Sequence, residues 1–236
     1  MRFPAHPTQT PPAQATVYQA QIKYNWVWVC LGQPARDVPS FPEWDDASFR
    51  KVHCGPYHYV ASAPRAIENF LDVTHFPFVH TGLLSDPNYP EVNDYQVEIS
   101  PEGVTARDIT VWQPDPDGSG QGAHVTYTYK VLRPLTAYFV KSSAGPRFAM
   151  YLTVTPVSQE VSIAWTCVGL DYGEQTDEEI HAFEDKITWQ DIPVVESQRP
   201  ELLPLDLQAE LHLRSDRTAV AYRTWLRQLG LSFGTA

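Results

Sequence analysis

The sequence predicts an α+β fold in which helices flank one antiparallel sheet. Apolar and polar side chains alternate with a period of two from Tyr95 to Leu170, which is typical of half-buried antiparallel strands. Two helical patterns follow, beginning near Thr176 and Ser215. With 236 residues, of which 43% are hydrophobic and 19% charged, the chain can bury a sizeable core, and no internal repeat divides it.

The N-terminal part of the chain predicts little regular structure. Residues 1–16 contain four prolines among small and polar residues, which predicts a flexible arm. Residues 17–32 predict one or two strands, apolar enough to be buried on both faces. Further prolines at positions 34, 39, 42 and 56 indicate a long connection before the first helix.

The first helix is predicted to begin near Pro64, because the first helical position does not need an amide hydrogen. Ile67, Phe70 and Leu71 follow at helical spacing, and His75 lies on the same stripe, so its imidazole is expected to face the interior. Pro77 would then end the helix around residue 76, because proline clashes with the carbonyl four residues earlier.

The alternating region predicts an antiparallel meander. Residues 114–120 and 144–146 contain the Pro and Gly residues of turns. After the meander, Thr176 and Glu179 form a capping-box pattern that begins a helix, expected to run to about Glu196 with a perturbation at Pro193.

The last predicted helix covers residues 215–229 and ends at Gly230. Its spacing predicts a buried face that is formed by Tyr222, Trp225, Leu226 and Leu229.

The charge balance argues against two classes of partner. The chain has 17 Lys and Arg residues and 28 Asp and Glu residues, a net charge of −11 with neutral histidines. An acidic surface repels phosphate backbones and anionic lipid headgroups, so we expect neither nucleic acid nor membrane as partner. The longest strongly apolar run, residues 26–31, is too short to cross a bilayer, and residues 1–4 open no signal-peptide pattern. We therefore expect a cytoplasmic protein.

The three cysteines predict neither a disulfide framework nor a metal site. Cys30, Cys54 and Cys167 are odd in number and lie far apart in the sequence. We expect them to be thiols in the core.

One short segment concentrates chemically active side chains. Asp72, His75 and His80 form an Asp-x2-His-x4-His pattern in otherwise apolar surroundings. In a regular helix, residues five apart point about 140° away from each other, so the two histidines can share a ligand only if the helix is broken, and Pro77 supplies a break. Asp72, one turn before His75, is close enough to accept a hydrogen bond from its ring. The alternative is that these are ordinary core histidines and a solvated acid.

The segment resembles a known iron motif. Residues 68–72, followed by His75 and His80, are similar to the mononuclear-iron motif of the oxygenase α subunits of Rieske-type aromatic-ring hydroxylating oxygenases, especially the vanillate O-demethylase group. Residues 187–200 are similar to the late helix in which that family places a third, aspartate ligand. The resemblance selects Asp191, which the sequence pattern alone does not distinguish from Glu184 or Asp185.

The resemblance implies roles for five side chains. His75, His80 and Asp191 would bind mononuclear Fe(II), an arrangement that leaves coordination positions open for dioxygen chemistry. Zinc is the rival metal for the same donors. Asp72 would orient His75 and relay electrons, and Asn69 would have a supporting role near the metal. If no metal site exists, Asp72 is an ordinary solvated acid on a helix and Asn69 an ordinary surface amide.

The resemblance also implies an architecture, an activity and partners. The fold would be a helix-grip (START/Bet v 1-like) antiparallel sheet with flanking helices and one long C-terminal helical region. The activity would be O2-dependent hydroxylation or O-demethylation of a small aromatic compound in a homotrimer, with a ferredoxin or reductase as electron-transfer partner. The 7 Trp, 12 Tyr and 10 Phe residues would line an apolar pocket, although aromatic residues at these spacings also suit a plain core.

The sequence departs from this family in its Rieske motifs. Neither Cys-x-His nor Cys-x2-His, which hold the [2Fe–2S] cluster, occurs in these 236 residues. We therefore expect residues 17–45 to be a remnant of the Rieske domain with a linker, and residues 46–236 to be the mononuclear-iron domain. A Rieske [2Fe–2S] cluster would come from another chain or a missing N-terminal region; a descendant that has lost oxygenation is the third explanation.

Two other function classes stay open on sequence grounds. A helix-grip cavity also suits a ligand-binding or carrier protein without catalytic metal, so fold alone does not decide. A metal-dependent hydrolase is less favoured, because no general base stands out beside the three candidate ligands.

Overall fold

The structure is a computed structural model that describes residues 15–143 and 145–236. The predicted arm lies outside the described residues, apart from Ala15 and Thr16, which belong to no helix or strand. The chain forms two compact units, one ending at Ser40 and one running from Phe41 to Ala236.

In the first unit, the described residues form a hairpin of β1 (Gln19–Lys23) and β2 (Trp26–Cys30). Tyr24 and Asn25 form its turn with φ of 58° and 57°, as a two-residue hairpin with the strand twist requires. The expectation of burial on both faces is wrong, since Val27 and Val29 are 69% and 57% exposed. A two-stranded ribbon offers no second layer to cover both faces.

The second unit is built on a seven-stranded antiparallel sheet with the order β3-β9-β8-β7-β6-β5-β4. As predicted, β4 to β9 form a meander in which each strand pairs with the next. The strands are β3 (Arg50–Tyr59), β4 (Gln96–Ser100), β5 (Gly103–Gln113), β6 (Ala123–Arg133), β7 (Thr136–Ser142), β8 (Arg147–Pro156) and β9 (Ser162–Leu170).

The sequence predicts a connection where β3 lies, and that prediction is wrong. Pro56 lies inside the strand, at a bulge between Cys54 and Tyr57 in the pairing with β9. Proline cannot donate a ladder hydrogen bond, so strands tolerate it at sheet edges and at bulges, and β3 offers both.

Among the described residues, four α-helices accompany the sheet, besides two short 3-10 helices at Pro42–Trp44 and Arg214–Asp216. Among the elements they contact, α3 packs against β3, α4 against β4 and β5, and α1 against β7 and β8 as well as α3 and α4. The helices are α1 (Ala63–Leu71), α2 (Phe76–Val79), α3 (Asp177–Glu196) and α4 (Arg217–Leu229). The core therefore lies between the sheet and these helices.

The ends of the two late helices follow the predicted signals. The Thr176 hydroxyl accepts a hydrogen bond from the amide of Glu179, whose carboxylate accepts one from the amide of Thr176, so the capping box of α3 is confirmed. Gly230 ends α4 with a φ of 70°. The prediction that Leu229 belongs to the buried face is wrong, because this residue lies in the last turn and is 50% exposed.

A network of two arginines and two glutamates joins α1 to α4. Arg223 binds Glu68 through Nε and Nη2 at 2.5 and 2.7 Å, and it binds Glu210 at 2.5 Å. Arg65 binds Glu210 at 2.6 Å. Both arginine side chains are only 3% exposed, so these charges are buried but paired.

The remaining expectations concern cysteines and the membrane. Cys54 and Cys167 are buried free thiols, whereas Cys30 lies on the two-stranded ribbon and is only partly buried, so it is not a core thiol. Among the described residues, no helix combines the length and the apolar composition that crossing a membrane requires.

Candidate metal centre and cavity

The helix α1 ends at Leu71, so the prediction that it continues through His75 is wrong. Asp72 has extended backbone with a ψ of 126°. Its Oδ1 accepts hydrogen bonds from the amide of Thr74 at 2.7 Å and from the Thr74 hydroxyl at 2.6 Å. This local turn replaces the helical hydrogen bonds, which is why an aspartate competes well with helix continuation.

Pro77 begins a helix instead of ending one. It lies in the first turn of the four-residue helix α2, where its missing amide hydrogen costs nothing. His75 precedes this turn as its N-cap and His80 follows it as its C-cap. The two imidazoles therefore bracket one turn, and their Nε2 atoms lie 3.2 Å apart.

The helix α3 brings the third predicted residue to the same point. Asp191 Oδ1 lies 3.3 Å from His75 Nε2 and 3.0 Å from His80 Nε2. The side chain of His80 is fully buried, and those of His75 and Asp191 are 13% exposed. Three donors that are distant in the sequence thus form one compact group.

Each imidazole is held from its other ring nitrogen. His75 Nδ1 lies 3.1 Å from Asp72 Oδ2, and His80 Nδ1 lies 2.9 Å from Gln190 Oε1. Because both partners are acceptors, we assign the ring protons to Nδ1, which leaves both Nε2 lone pairs directed at each other and at Asp191. Gln190 is not predicted from the sequence, although its position directly before the candidate ligand Asp191 is an available signal.

The two carboxylates favour positive charge at this position. Burial lowers the pKa of His75, but close contacts and charge interactions with Asp191 and Asp72 outweigh burial and raise that pKa to about 9. Burial raises the pKa of Asp191, but the two histidines lower it to about 2. The pKa of Asp72 is also lowered, because its interactions with His75 and Thr74 outweigh its burial.

The donor set fits a divalent cation. Asp191 Oδ1 is buried and has no hydrogen bond of acceptable geometry among the described residues, although both Nε2 atoms are close. Donors bound at about 2.1 Å lie about 3.0 Å apart at octahedral angles and about 3.4 Å apart at tetrahedral angles. The observed spacings of 3.0 to 3.3 Å fall in this range, so they suit iron and zinc alike.

The three donors lie in the wall of a cavity of about 400 Å³. Asn69, on α1, lines the same cavity. Aromatic rings form much of the remaining wall, as expected for an apolar pocket. They belong to Tyr57, Tyr59, Phe70, Phe76, Tyr127, Phe139, Phe148, Tyr172 and Phe183. Polar side chains also line it, among them Gln113, Tyr127, Lys141 and Glu184. A small, mainly apolar molecule fits a cavity of this volume and lining.

Comparison with known families gives a match over most of the second unit. A family model described as the vanillate O-demethylase oxygenase C-terminal domain matches residues 59–232. The match includes all five residues singled out in the sequence analysis.

Curated relatives and solved structures agree with this family. The probable methylxanthine N7-demethylase NdmC of Pseudomonas sp. (strain TJI-51) is 37% identical over 218 residues, which cover 90% of this chain and 77% of the relative. The structure of NdmA from Pseudomonas putida CBB5 with caffeine has a TM-score of 0.78 and 27% identity, and the match covers 94% of this chain and 65% of that one. This chain therefore spans about two thirds of the solved NdmA chain.

A more distant structure shares only the fold. Dicamba monooxygenase bound to dicamba has a TM-score of 0.66 at 14% identity, and the match covers 90% of this chain and 69% of that one.

Proposed function

Because this chain belongs to the family of vanillate O-demethylase oxygenase C-terminal domains and is thus a Rieske-type oxygenase catalytic domain, we propose that it carries out O2-dependent demethylation of a small aromatic compound. The observation that carries the proposal is the convergence of His75 Nε2, His80 Nε2 and Asp191 Oδ1 within 3.3 Å of one another in a cavity wall. A cavity that holds both a metal and a planar substrate is what this chemistry requires.

In this proposal His75, His80 and Asp191 hold a mononuclear iron. Bound ferrous iron would supply the activation of dioxygen. The protein side chains position the donors: Asp72 holds His75 through its Nδ1, and Gln190 holds His80 in the same way.

The remaining parts of the proposal concern electrons and assembly. Ferrous iron needs two further electrons to activate dioxygen, and residues 1–236 contain no Cys-x-His or Cys-x2-His motif. We assign their supply to a Rieske [2Fe–2S] cluster on another chain or segment, fed by a ferredoxin or reductase. The electrons would reach His75 through Asp72, whose side chain is 33% exposed. The assembly we propose is a homotrimer, located in the cytoplasm. Asn69 supports the site from α1.

The substrate we propose is a methylated aromatic ring of one or two rings. NdmC and NdmA are named as N-demethylases of methylxanthines, which are planar heteroaromatic compounds. A cavity of about 400 Å³ with aromatic walls supports a substrate of this size and shape. An N-methyl group on a heteroaromatic ring is therefore the favoured site of demethylation, ahead of the O-methyl group.

Iron loading tests this function. The purified protein is incubated anaerobically with ferrous iron, separated from free metal, and its iron content measured. We expect one iron per chain, lost in His75→Ala and retained in His58→Ala, a matched control for an exposed histidine outside the cavity. If the wild type holds no iron and binds apolar ligands tightly, the protein is a carrier. The loading is done without zinc, because sites with these donors generally bind zinc more tightly than ferrous iron. If the wild type holds no iron under these conditions, the oxygenase proposal is wrong.

A further inference from the structure

Besides the candidate metal ligands, the cavity wall contains a second set of polar side chains, which has no role in the metal chemistry proposed above. Gln113 comes from β5, Tyr127 from β6, Lys141 from β7 and Glu184 from α3. We call these four side chains the polar wall. Buried polar groups are costly unless they are hydrogen-bonded, so each needs a partner in the protein or in a ligand.

Three members of the polar wall form a connected chain on the sheet. Lys141 Nζ donates to Gln113 Oε1 at 3.0 Å and to the carbonyl of Pro116 at 3.1 Å. Gln113 Nε2 donates to the Tyr127 hydroxyl at 2.8 Å. The hydroxyl hydrogen of Tyr127 then has no acceptor among the described residues, so it can donate to a molecule in the cavity.

The fourth member, Glu184, lies in the helix α3 and is only 5% exposed. No described residue donates a hydrogen bond to its carboxylate, although the carboxyl group lines the cavity. Burial raises its pKa to about 7, with the charge of Lys141 opposing and those of Asp185 and Asp191 adding to the rise. In its ionised form, Glu184 is therefore a hydrogen-bond acceptor to which no residue in the described part of the chain donates.

Acidic side chains outnumber basic ones in the cavity wall, which disfavours an anionic ligand. Lys141 is the one lysine or arginine among the described lining residues, and the acidic residues are Asp115, Glu179, Glu184 and Asp191. Lys141 is the basic residue of the polar wall; burial lowers its pKa to about 8, while Glu184 and two loop aspartates oppose that shift. Two of its three hydrogens are already donated to Gln113 and Pro116. A second carboxylate beside Glu184 would meet a like charge in a poorly solvated site, which is unfavourable.

We propose that Glu184 is a specificity-determining residue that accepts a hydrogen bond from a ring N–H of a neutral heteroaromatic substrate, while Tyr127 donates to a carbonyl of the same ring. This inference rests on the proposed function, because it names the substrate class of the same cavity. It separates neutral heteroaromatic compounds, which have N–H and carbonyl groups on one edge, from aromatic carboxylates such as vanillate.

Ligand binding measured by calorimetry tests the inference without turnover, iron or electrons. The probes are 7-methylxanthine, which has ring N–H groups, caffeine, in which those nitrogens are methylated, and vanillate, an aromatic carboxylate. The measurement is made at pH 8, above the pKa of about 7 of Glu184, so that its carboxyl group is mostly ionised. In the wild type we expect 7-methylxanthine to bind about tenfold more tightly than caffeine, with vanillate weakest, because a hydrogen bond to a charged acceptor contributes about that much.

Two variants separate hydrogen bonding from charge. Glu184→Leu removes the acceptor, so the preference for 7-methylxanthine over caffeine should disappear. Glu184→Gln keeps an acceptor but removes the charge, so vanillate should bind about tenfold more tightly than it does to the wild type. Glu178→Gln, an equal charge change on an exposed part of the same helix, should leave all three affinities unchanged. Thermal unfolding checks that every variant is folded.

The outcomes distinguish this inference from the proposed function. If Glu184→Leu still prefers 7-methylxanthine, the preference is steric and the inference is wrong. The inference is also wrong if vanillate binds most tightly to the wild type. If the binding pattern is as expected but the protein takes up no iron, the inference on ligand class holds and the oxygenase proposal fails.

Discussion

The arginine–glutamate network and the candidate metal centre both involve α1 or its end, but only the network is electrically balanced. In the network, Arg65 and Arg223 pair with Glu68 and Glu210, so two positive charges meet two negative ones. In the metal centre, the carboxylates of Asp72 and Asp191 surround His75 and raise its pKa to about 9, so they attract positive charge to this position. In a balanced buried cluster the charges neutralise one another, whereas a cluster with excess negative charge favours the binding of a cation.

Removing one donor of the metal centre should have the largest effect. We expect Asp191→Ala to weaken ferrous-iron binding about a thousandfold, because each of a few donors contributes several kcal/mol of the binding free energy. The free energy of unfolding without added metal should fall by only about 2 kcal/mol at neutral pH, the contribution that corresponds to the lowered pKa of Asp191. Competition with a metal chelator measures the first quantity and denaturant unfolding the second. Asp45→Ala, at an exposed site, is the control; equal iron affinity in both variants would contradict the comparison.

Removing one member of the network should have the opposite signature. Arg223→Ala leaves Glu68 and Glu210 without their shared partner, so we expect the free energy of unfolding to fall by about 3 to 5 kcal/mol. The affinity of the folded protein for iron should remain within a few-fold of the wild type. Urea unfolding measures the change, and Arg227→Ala, at an exposed position of the same helix, should change it by less than about 0.5 kcal/mol. A small loss in Arg223→Ala would mean that the pairs contribute little.

The outer partner of His80 should have an intermediate effect on the metal centre. We expect Gln190→Leu to weaken iron binding about 10- to 100-fold, because the ring of His80 loses the acceptor that fixes its orientation. Gln208→Leu, at an exposed glutamine, should have no effect. The same chelator competition gives both values, and an unchanged affinity in Gln190→Leu would show that packing alone orients His80.

The smallest predicted effect is the pH dependence of the network. Burial raises the pKa of Glu210, but the bonds and charges of Arg65 and Arg223 outweigh it and lower that pKa below its ordinary value of 4.5. A lowered folded-state pKa stabilises the fold above 4.5, and this contribution is lost as the pH falls further. The difference in unfolding free energy between wild type and Arg223→Ala should therefore shrink below that pH. Unfolding curves at several acidic pH values would show it, and a constant difference would contradict it.

Much of the fold follows from local sequence signals. The period-two alternation predicts the meander, and the Thr176 and Glu179 pair predicts the start of α3, because both depend on neighbours in the chain. The strand β3 was missed because Pro56 normally argues against a strand, and only the edge position and bulge make it tolerable. The end of α1 was missed because the turn formed by Asp72 and Thr74 competes with helical spacing.

Less of the candidate site than of the fold can be predicted from the sequence. Asp72, His75 and His80 form a local pattern, but Asp191 lies more than a hundred residues away and is not distinguished by pattern from Glu184 or Asp185. The resemblance to a family selected it, and the folded chain brings it to within 3.3 Å of both histidines. The partnership of Gln190 with His80 depends on the orientation of α3, which no local pattern contains.

The helix α3 carries both Glu184 and Asp191, seven residues apart. Seven residues are close to two full turns, so the two side chains leave the same face of the helix, about 10 Å apart along its axis. The rise of one continuous helix thus acts as a spacer between the residue proposed to recognise the ring and the residue proposed to bind the metal. The distance between the group that is recognised and the methyl group that is removed would then be set by the backbone of α3, and side-chain flexibility would change that distance little.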